Sequence, residues 1–396
     1  MRDKNVFDIR FDFFGVDCRA CVNQRQFFIR ERKKKIRLYK ILAFADLGII
    51  AAIIGGFSLR ANLPHSAVDL LGSFATIFFM TQLFCGIFVV AALIFRAVYR
   101  KFHKPREFSP ARRRALKWGL FYPVTALAVS LYGNKIERME TVDNFFEIPI
   151  RKLPPELNGF KIAQISDVHL GAYFSLERLE KLLQRIADAK PDILAITGDI
   201  FDSVPINDAA IKIVDSFCDK FKHGIFYCHG NHEHFRGISH IEAELAKTKI
   251  HWLVNQSAHV TSNLYILGVD YPPTAPIMKS GGRGELDERF YRQKKDFLEK
   301  SLVGVPYGAT CILLAHHPEF IDDGAAKNIP LTLTGHTHGM QIFGLHWLNI
   351  FKYTRGMTKI DDSFGYVHAG NGSWFPFRLG CSPEIAYFTL KNSAGD

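Results

Sequence analysis

A layered α/β domain preceded by a basic, apolar N-terminal third is the architecture this sequence predicts, and three observations predict it. From about residue 155 onward, short apolar runs alternate with amphipathic helical runs, the pattern of a sheet flanked by helices. Before residue 100, two apolar segments, about 41 to 59 and 67 to 95, are long enough to cross a hydrocarbon core of ~30 Å, which takes about 20 helical residues. Charge divides the same way: residues 1 to 133 carry 22 Lys and Arg against 8 Asp and Glu, a net of +14, and the remainder carries −3 of the total +11. The basic excess therefore belongs with the apolar segments, where it reads as membrane topology and contact with lipid headgroups, so the expected partner is a bilayer and not a nucleic acid.

Residues 1 to 37 form a basic cytoplasmic arm ending in Arg30-Glu-Arg-Lys-Lys-Lys-Ile-Arg37. Within it, Cys18 and Cys21 are a lone CxxC with no second pair, read as two unpaired thiols. The seven cysteines show no disulfide framework. Residues 38 to 133 form a transmembrane region of two or three helices, with Asp46 and Asp69 near segment ends, where a charge is tolerated. A heavily basic loop from Arg96 to Lys117 follows. The next segment, Trp118 to Tyr132, is short and contains Pro123, so it is either a third span or a buried interfacial helix. If it crosses, the positive-inside rule places the arm and the basic loop in the cytoplasm and the C-terminal domain outside it. Arg112-Arg-Arg-Ala-Leu-Lys117 resembles a twin-arginine export signal, which favours the same orientation.

Residues 134 to 154 read as a linker, and 155 to 396 as the soluble domain. Strands are expected at 160–166, 192–197, 224–228, 265–268, 310–314 and 331–334, and helices after Ser175 and at 239–248 and 286–302. Ligands in such sheets bind beyond the strand ends. Five motifs fall there: Asp167-Val-His169, Gly198-Asp199, Gly230-Asn231-His232-Glu233, His316 and Gly335-His336-Thr-His338. Each alone is weak evidence, since Asp199 could be a helix cap and any single histidine structural. Five in order at five strand ends supply carboxylate, amide and imidazole donors for two cations, of which Mn, Fe, Zn and Mg suit the donor set.

The ordered set DxH, GDxxD (Gly198 to Asp202), GNHE, H and GHTH resembles the calcineurin-like metallophosphoesterases over residues 155 to 392. The resemblance implies a four-layer αββα sandwich and two divalent ions, one on Asp167, His169 and His338, the other on Asn231, His316 and His336, with Asp199 bridging. His316 is preferred to its neighbour His317 on the match of Ile312-Leu-Leu-Ala-His-His-Pro318. It further implies hydrolysis at phosphorus, with His232 serving the leaving oxygen, Glu233 orienting His232, and Asp199 counted with them as catalytic. His229 and His234 receive no role beyond lining the pocket. The stretch Gly370 to Glu384 resembles the membrane-anchored bacterial branch, which includes proteins linked to UDP-diacylglucosamine hydrolysis in lipid A synthesis. Met340 stands where that family usually has Gly.

A lipid-linked phosphorylated substrate at a bacterial cell membrane is the expected reading. Rival readings are a phosphomonoesterase acting on proteins or small esters, and a metal-binding scaffold without turnover. The aromatic stretch from 340 to 353 is either a lip that meets acyl chains and the bilayer or a packed loop, and the basic loop 279 to 284 is either a diphosphate contact or a plain connector.

Overall fold

The computed structural model describes residues 63–102, 121–275, 285–348 and 350–393, with scattered helical positions between 33 and 50. The chain divides into two compact units, Met1–Leu59 and Arg60–Asp396. In the first, the described positions within the expected span 41 to 59 are helical, and the rest of that segment lies outside the described residues. So do Cys18, Cys21, the twin-arginine stretch and the loop 279 to 284.

The second unit opens with α1 (His65–Phe102) and α2 (Phe121–Leu131), which pack against each other. Among the described residues, α1 is the one helix long and apolar enough to cross a membrane. Its side chains are mostly exposed. The described part of α2 has 11 residues, about 16 Å, roughly half a hydrocarbon core. Of the two or three expected spans, α1 is the one of span length among the described residues, and the described part of the third segment is the short helix α2.

Both sheets have six strands. The first runs β1 (Val142–Arg151), β12 (Glu384–Ser393), β2 (Lys161–Ile165), β3 (Ile193–Thr197), β4 (Ile225–Cys228), β5 (His251–Trp252) in spatial order. The second runs β10 (Gly356–Ile360), β11 (Ser363–Val367), β9 (Leu331–Thr334), β8 (Thr310–Leu314), β7 (Leu264–Gly268), β6 (Gln256–Thr261). The central strands β2 to β4 and β7 to β9 are parallel and buried on both faces, which is why they read as continuous apolar runs. In β3, Leu194 and Ile196 face a core shared with α3 (Leu176–Asp188), α4 (Val204–Ser216) and α6 (Ile238–Leu245). Ile193 and Ala195 face a second core against Ile266, Ile312 and Leu333 of the other sheet. A third core joins that sheet to α7 (Glu285–Ser301) and α8 (Phe320–Ala326) through Leu267, Leu313, Leu298 and Phe320. The layers therefore run helix, sheet, sheet, helix. Ser175 caps α3 as expected, accepting a hydrogen bond from Arg178 N at 3.2 Å.

The expected linker differs. Residues 142 to 151 are β1, an edge strand paired in parallel with β12 over its whole length. Its inward residues Ile148 and Ile150 alternate with exposed ones, and Pro149 is tolerated because the strand is at an edge. The chain before it is seated on the domain as well: Arg378 N donates to Gly133 O at 3.0 Å, Asn134 Nδ2 donates to Pro376 O, and Cys381 N donates to Glu137 Oε1 at 2.9 Å. Arg138 pairs with Asp69 of α1 at 2.8 Å.

β1 is thus part of the first sheet and not a linker to it. A fragment starting at 155 lacks β1 and loses Ile148, Ile150 and Leu153 from the core between the sheets. At ~1.5–3 kcal/mol for each buried aliphatic side chain, that is on the order of 5 kcal/mol. A 155–396 fragment is expected to melt about 10 °C or more below a 133–396 fragment in a thermal scan. Equal melting temperatures would remove β1 from the domain.

Candidate metal centre

All the motif residues except Asn231, His232 and His336 are buried, and they meet at the C-terminal ends of β2, β3, β4, β8 and β9. Just past those ends the backbone turns through left-handed geometry at Asp167 (φ 52°), His169 (48°), Asp199 (55°), His336 (76°) and His338 (50°). Such a conformation costs a non-glycine residue ~1–3 kcal/mol and persists only where surrounding bonds hold it. Glu233 supplies those bonds around Asp199. Fully buried on the short helix α5 (Asn231–Phe235), its carboxylate accepts from the N–H groups of Asp199, Ile200, Phe201 and Gly230 at 2.8–3.0 Å. Asp167 does the same for the GHTH turn, accepting from His336 N at 3.0 Å. The motif glycines make room: a Cβ on Gly230 would stand 2.1 Å from Asp199 Oδ1, and one on Gly335 2.4 Å from Asp167 Oδ2.

Three donors converge in a first group. His338 Nε2 lies 2.9 Å from His169 Nε2 and 3.3 Å from Asp167 Oδ1. A second group forms around His316, whose Nε2 is 3.1 Å from Asp199 Oδ2 and 3.9 Å from Asp167 Oδ1. Asp199 Oδ2 also lies 3.6 Å from His169 Nε2, so this carboxylate touches both groups. Asn231 Oδ1 and His336 Nδ1 are 3.1 Å apart, and the His336 and His316 rings meet edge to face at 5.1 Å. The structure therefore brings all seven sequence-selected donors together.

Electrostatics prepares them to bind cations. Burial pushes His336 down to about 3 and His338 well below its ordinary value, so both are neutral with lone pairs available. Burial would lower His316 too, but Asp199 and Asp167 overcome it and raise it to about 10. Asp199 is held well below the carboxylate range, since His316, His169 and His232 outweigh its burial. His316 Nδ1 donates to Thr197 O at 2.7 Å, which aims Nε2 at the carboxylates. That Nε2 is buried without an aligned hydrogen bond, and two imidazole Nε2 atoms face each other at 2.9 Å in the first group. Facing imidazole nitrogens beside paired carboxylates call for a cation, which would displace the proton on His316, and the residues present fit divalent metal ions.

Two roles differ from expectation. Glu233, expected to orient His232, holds backbone instead, because the first turn of α5 carries its carboxylate onto the loop of residues 199–201. The carboxylate on His232 is that of Asp202, at 2.8 Å from Nδ1. Asp202 also reaches His169 Nδ1 at 3.1 Å and accepts from Arg236 Nε at 2.8 Å. Its signal was present in the GDxxD spacing. His229 and His234 both bond Asp270 Oδ1, at 3.2 and 2.9 Å, a pairing that sequence distance concealed. Gln341, after the GHTH turn, donates to Phe375 O and Phe377 O and accepts from Trp374 N, tying residues 373–379 to the ligand loop.

A family profile for "Calcineurin-like phosphoesterase" matches residues 160–340. An uncharacterized metallophosphoesterase of Aquifex aeolicus is 31% identical over 252 residues, which cover 62% of this chain and 90% of that protein. The chain belongs to the calcineurin-like metallophosphoesterase family. An uncharacterized metallophosphoesterase of Helicobacter pylori strain J99 matches along nearly the full length, 28% identical over 92% of this chain and 95% of its own. A Bos taurus protein named "Transmembrane protein with metallophosphoesterase domain" is 28% identical over 71% of this chain. The chain spans 64% of that protein's length and 62% of its Danio rerio namesake's.

Two outcomes are expected of this metallophosphoesterase site. Glu233→Ala leaves four N–H groups without their acceptor at ~1–3 kcal/mol each, so denaturant unfolding should show a loss of at least about 4 kcal/mol; a loss below 1 kcal/mol would remove Glu233 as the organiser of the 199–201 turn. His232 is raised above its ordinary value because Asp202, Asp199 and Glu233 outweigh its burial. Asp202→Asn withdraws one of those anions, so His232 should lose its proton at lower pH and the alkaline limb of the pH–rate profile should move to lower pH. An unmoved limb would separate Asp202 from the proton on His232.

Proposed function

We propose that this protein is a membrane-anchored, binuclear metal-dependent hydrolase of a phosphodiester or pyrophosphate bond in a lipid-linked substrate, of which a UDP-diacylglucosamine-like molecule is one example. The observation that carries the reading is the sharing of Asp199 between the His316 group and the His169 group. One carboxylate between two sets of imidazoles is the arrangement a pair of ions requires. Asp167, His169 and His338 would hold one ion, Asn231, His316 and His336 the other, and Asp199 both. Ions bound there supply Lewis-acid charge to phosphoryl oxygens and acidify water near neutral pH.

The chain's own residues account for the rest. His232 is partly exposed beside the two groups, with Nδ1 bonded to Asp202, which leaves Nε2 to deliver a proton to the departing oxygen. Asn231 contributes a neutral oxygen where three anionic ones would overcharge the site. Glu233 and the bond from His316 to Thr197 O keep the donors fixed before substrate arrives, so little reorganisation remains in the reaction.

Membrane anchorage is supported by α1 and by the names of the Bos taurus and Danio rerio relatives. Tethering raises the effective concentration of a substrate confined to the same bilayer. The basic loop after α1 supports a multi-pass topology with the catalytic domain on the extracytoplasmic side.

Elemental analysis combined with turnover of a nitrophenyl phosphodiester, a nitrophenyl monoester and UDP-diacylglucosamine tests the proposal. The wild-type protein is expected to hold two metal equivalents. Asp199→Asn should hold one or fewer and lose roughly 1000-fold in rate, about 4 kcal/mol of barrier. Turnover of the monoester alone would remove the diester reading, and metal-replete protein that cleaves none of the three would leave a binding scaffold.

A further inference from the structure

Beyond Gln341 the chain exposes three large apolar side chains in one turn: Phe343 (61% exposed), Trp347 (72%) and Leu348 (64%). They form a patch, with the Phe343 and Trp347 rings 5.6 Å apart. The turn is held in place rather than hanging loose: Phe343 N donates to Leu379 O at 2.6 Å, Ile342 bridges to Leu379, and Phe343 rests on Gly380, where a Cβ would come within 2.6 Å of it. A fixed, exposed aromatic patch is a binding surface by default.

The anchor helix indicates what covers it. Counted back from Arg96, a hydrocarbon core of ~30 Å takes about 20 helical residues and ends near Thr76. Phe84 lies inside that run, and its ring packs on Phe377 with centroids 6.2 Å apart. Asp69, paired with Arg138, falls outside the run, where a charged pair belongs. The segment 375–380 therefore reaches the bilayer surface, and the Phe343 turn is bonded to that same segment. Tyr132 and Lys135, exposed at the junction with α2, are residue types that settle at a membrane–water interface.

The turn also adjoins the metal centre. Trp374 N donates to Gln341 Oε1, and its ring lies 4.6 Å from that of His338.

We infer that Phe343, Trp347 and Leu348 sit in the interfacial layer of the bilayer beside α1, so that the metal centre behind Trp374 and His338 lies near the depth of lipid headgroup phosphates and a lipid-anchored phosphoester reaches it without leaving the membrane. The substrate half of this inference rests on the function proposed above; the insertion half does not.

The full chain in nanodiscs containing phospholipids brominated near the headgroup tests insertion. Tryptophan quenching is expected to fall in Trp347→Phe relative to wild type. Equal quenching in the two proteins overturns the inference, as does a dimer in which Trp347 is shielded from bromine, which would give the patch to a second copy. In the second arm, Phe343→Asp/Trp347→Glu should lower turnover of a phosphoester embedded in vesicles by about tenfold, the factor that ~1.4 kcal/mol of lost interfacial binding gives, while leaving a soluble nitrophenyl diester unaffected. Equal loss on both substrates, or loss on neither, overturns it. Wild-type protein inactive on every ester would defeat the functional reading and leave the quenching result standing on its own.

Discussion

Two carboxylates buried side by side set the terms for everything around them. Asp167 and Asp199 both lie within reach of His316, out of contact with water, and each disfavours ionisation of the other. Such a pair is tolerable only with compensating positive charge, which the protein alone supplies through a protonated His316 and which bound cations would supply more fully. The neutral His336 and His338 and the amide of Asn231 follow from the same constraint, since further anions would make the cluster untenable. So do the glycines beside Asp199 and Asp167, because the carboxylates occupy the volume a Cβ would need.

Holding that cluster means holding five residues in backbone conformations they do not prefer. The strain lies just past the strand ends, and its opposition is local: Glu233 bonds four consecutive or neighbouring amides, and Asp167 bonds the GHTH turn. The sheets contribute by rigidity, because β3, β4, β8 and β9 are fully buried, β2 is buried except at Lys161, and none can shift independently. Site precision is thus a property of two layers, packed strands that fix where each loop starts and buried carboxylates that fix how it turns.

What could be read from the sequence follows the same division. Strands buried on both faces announce themselves as uninterrupted apolar runs, so 310–314 and 331–334 coincide with β8 and β9. The ligands were legible because Asp, Asn and His gather where those runs stop. β1 was not legible: exposed Phe145 disguises its alternation, and its partner β12 lies some 240 residues away. Glu233 was misread for a related reason. Adjacency to His232 suggests contact, whereas a helical turn sends neighbouring side chains to different sides and gives Asp202, thirty residues upstream, the place beside His232. The bond between Asp270 and the two histidines after β4 is likewise a fact of folding and not of order along the chain.

The pairing of β1 with β12 also governs the timing of assembly. The first strand of the domain finds its neighbour only when the last has been synthesised, so the edge of the sheet formed by β1 and β12 cannot close progressively behind the ribosome. Until then Ile148, Ile150 and the flank of β2 lack the cover that β12 gives them. The contact that completes this sheet therefore joins segments some 240 residues apart and is among the slowest of the fold to form.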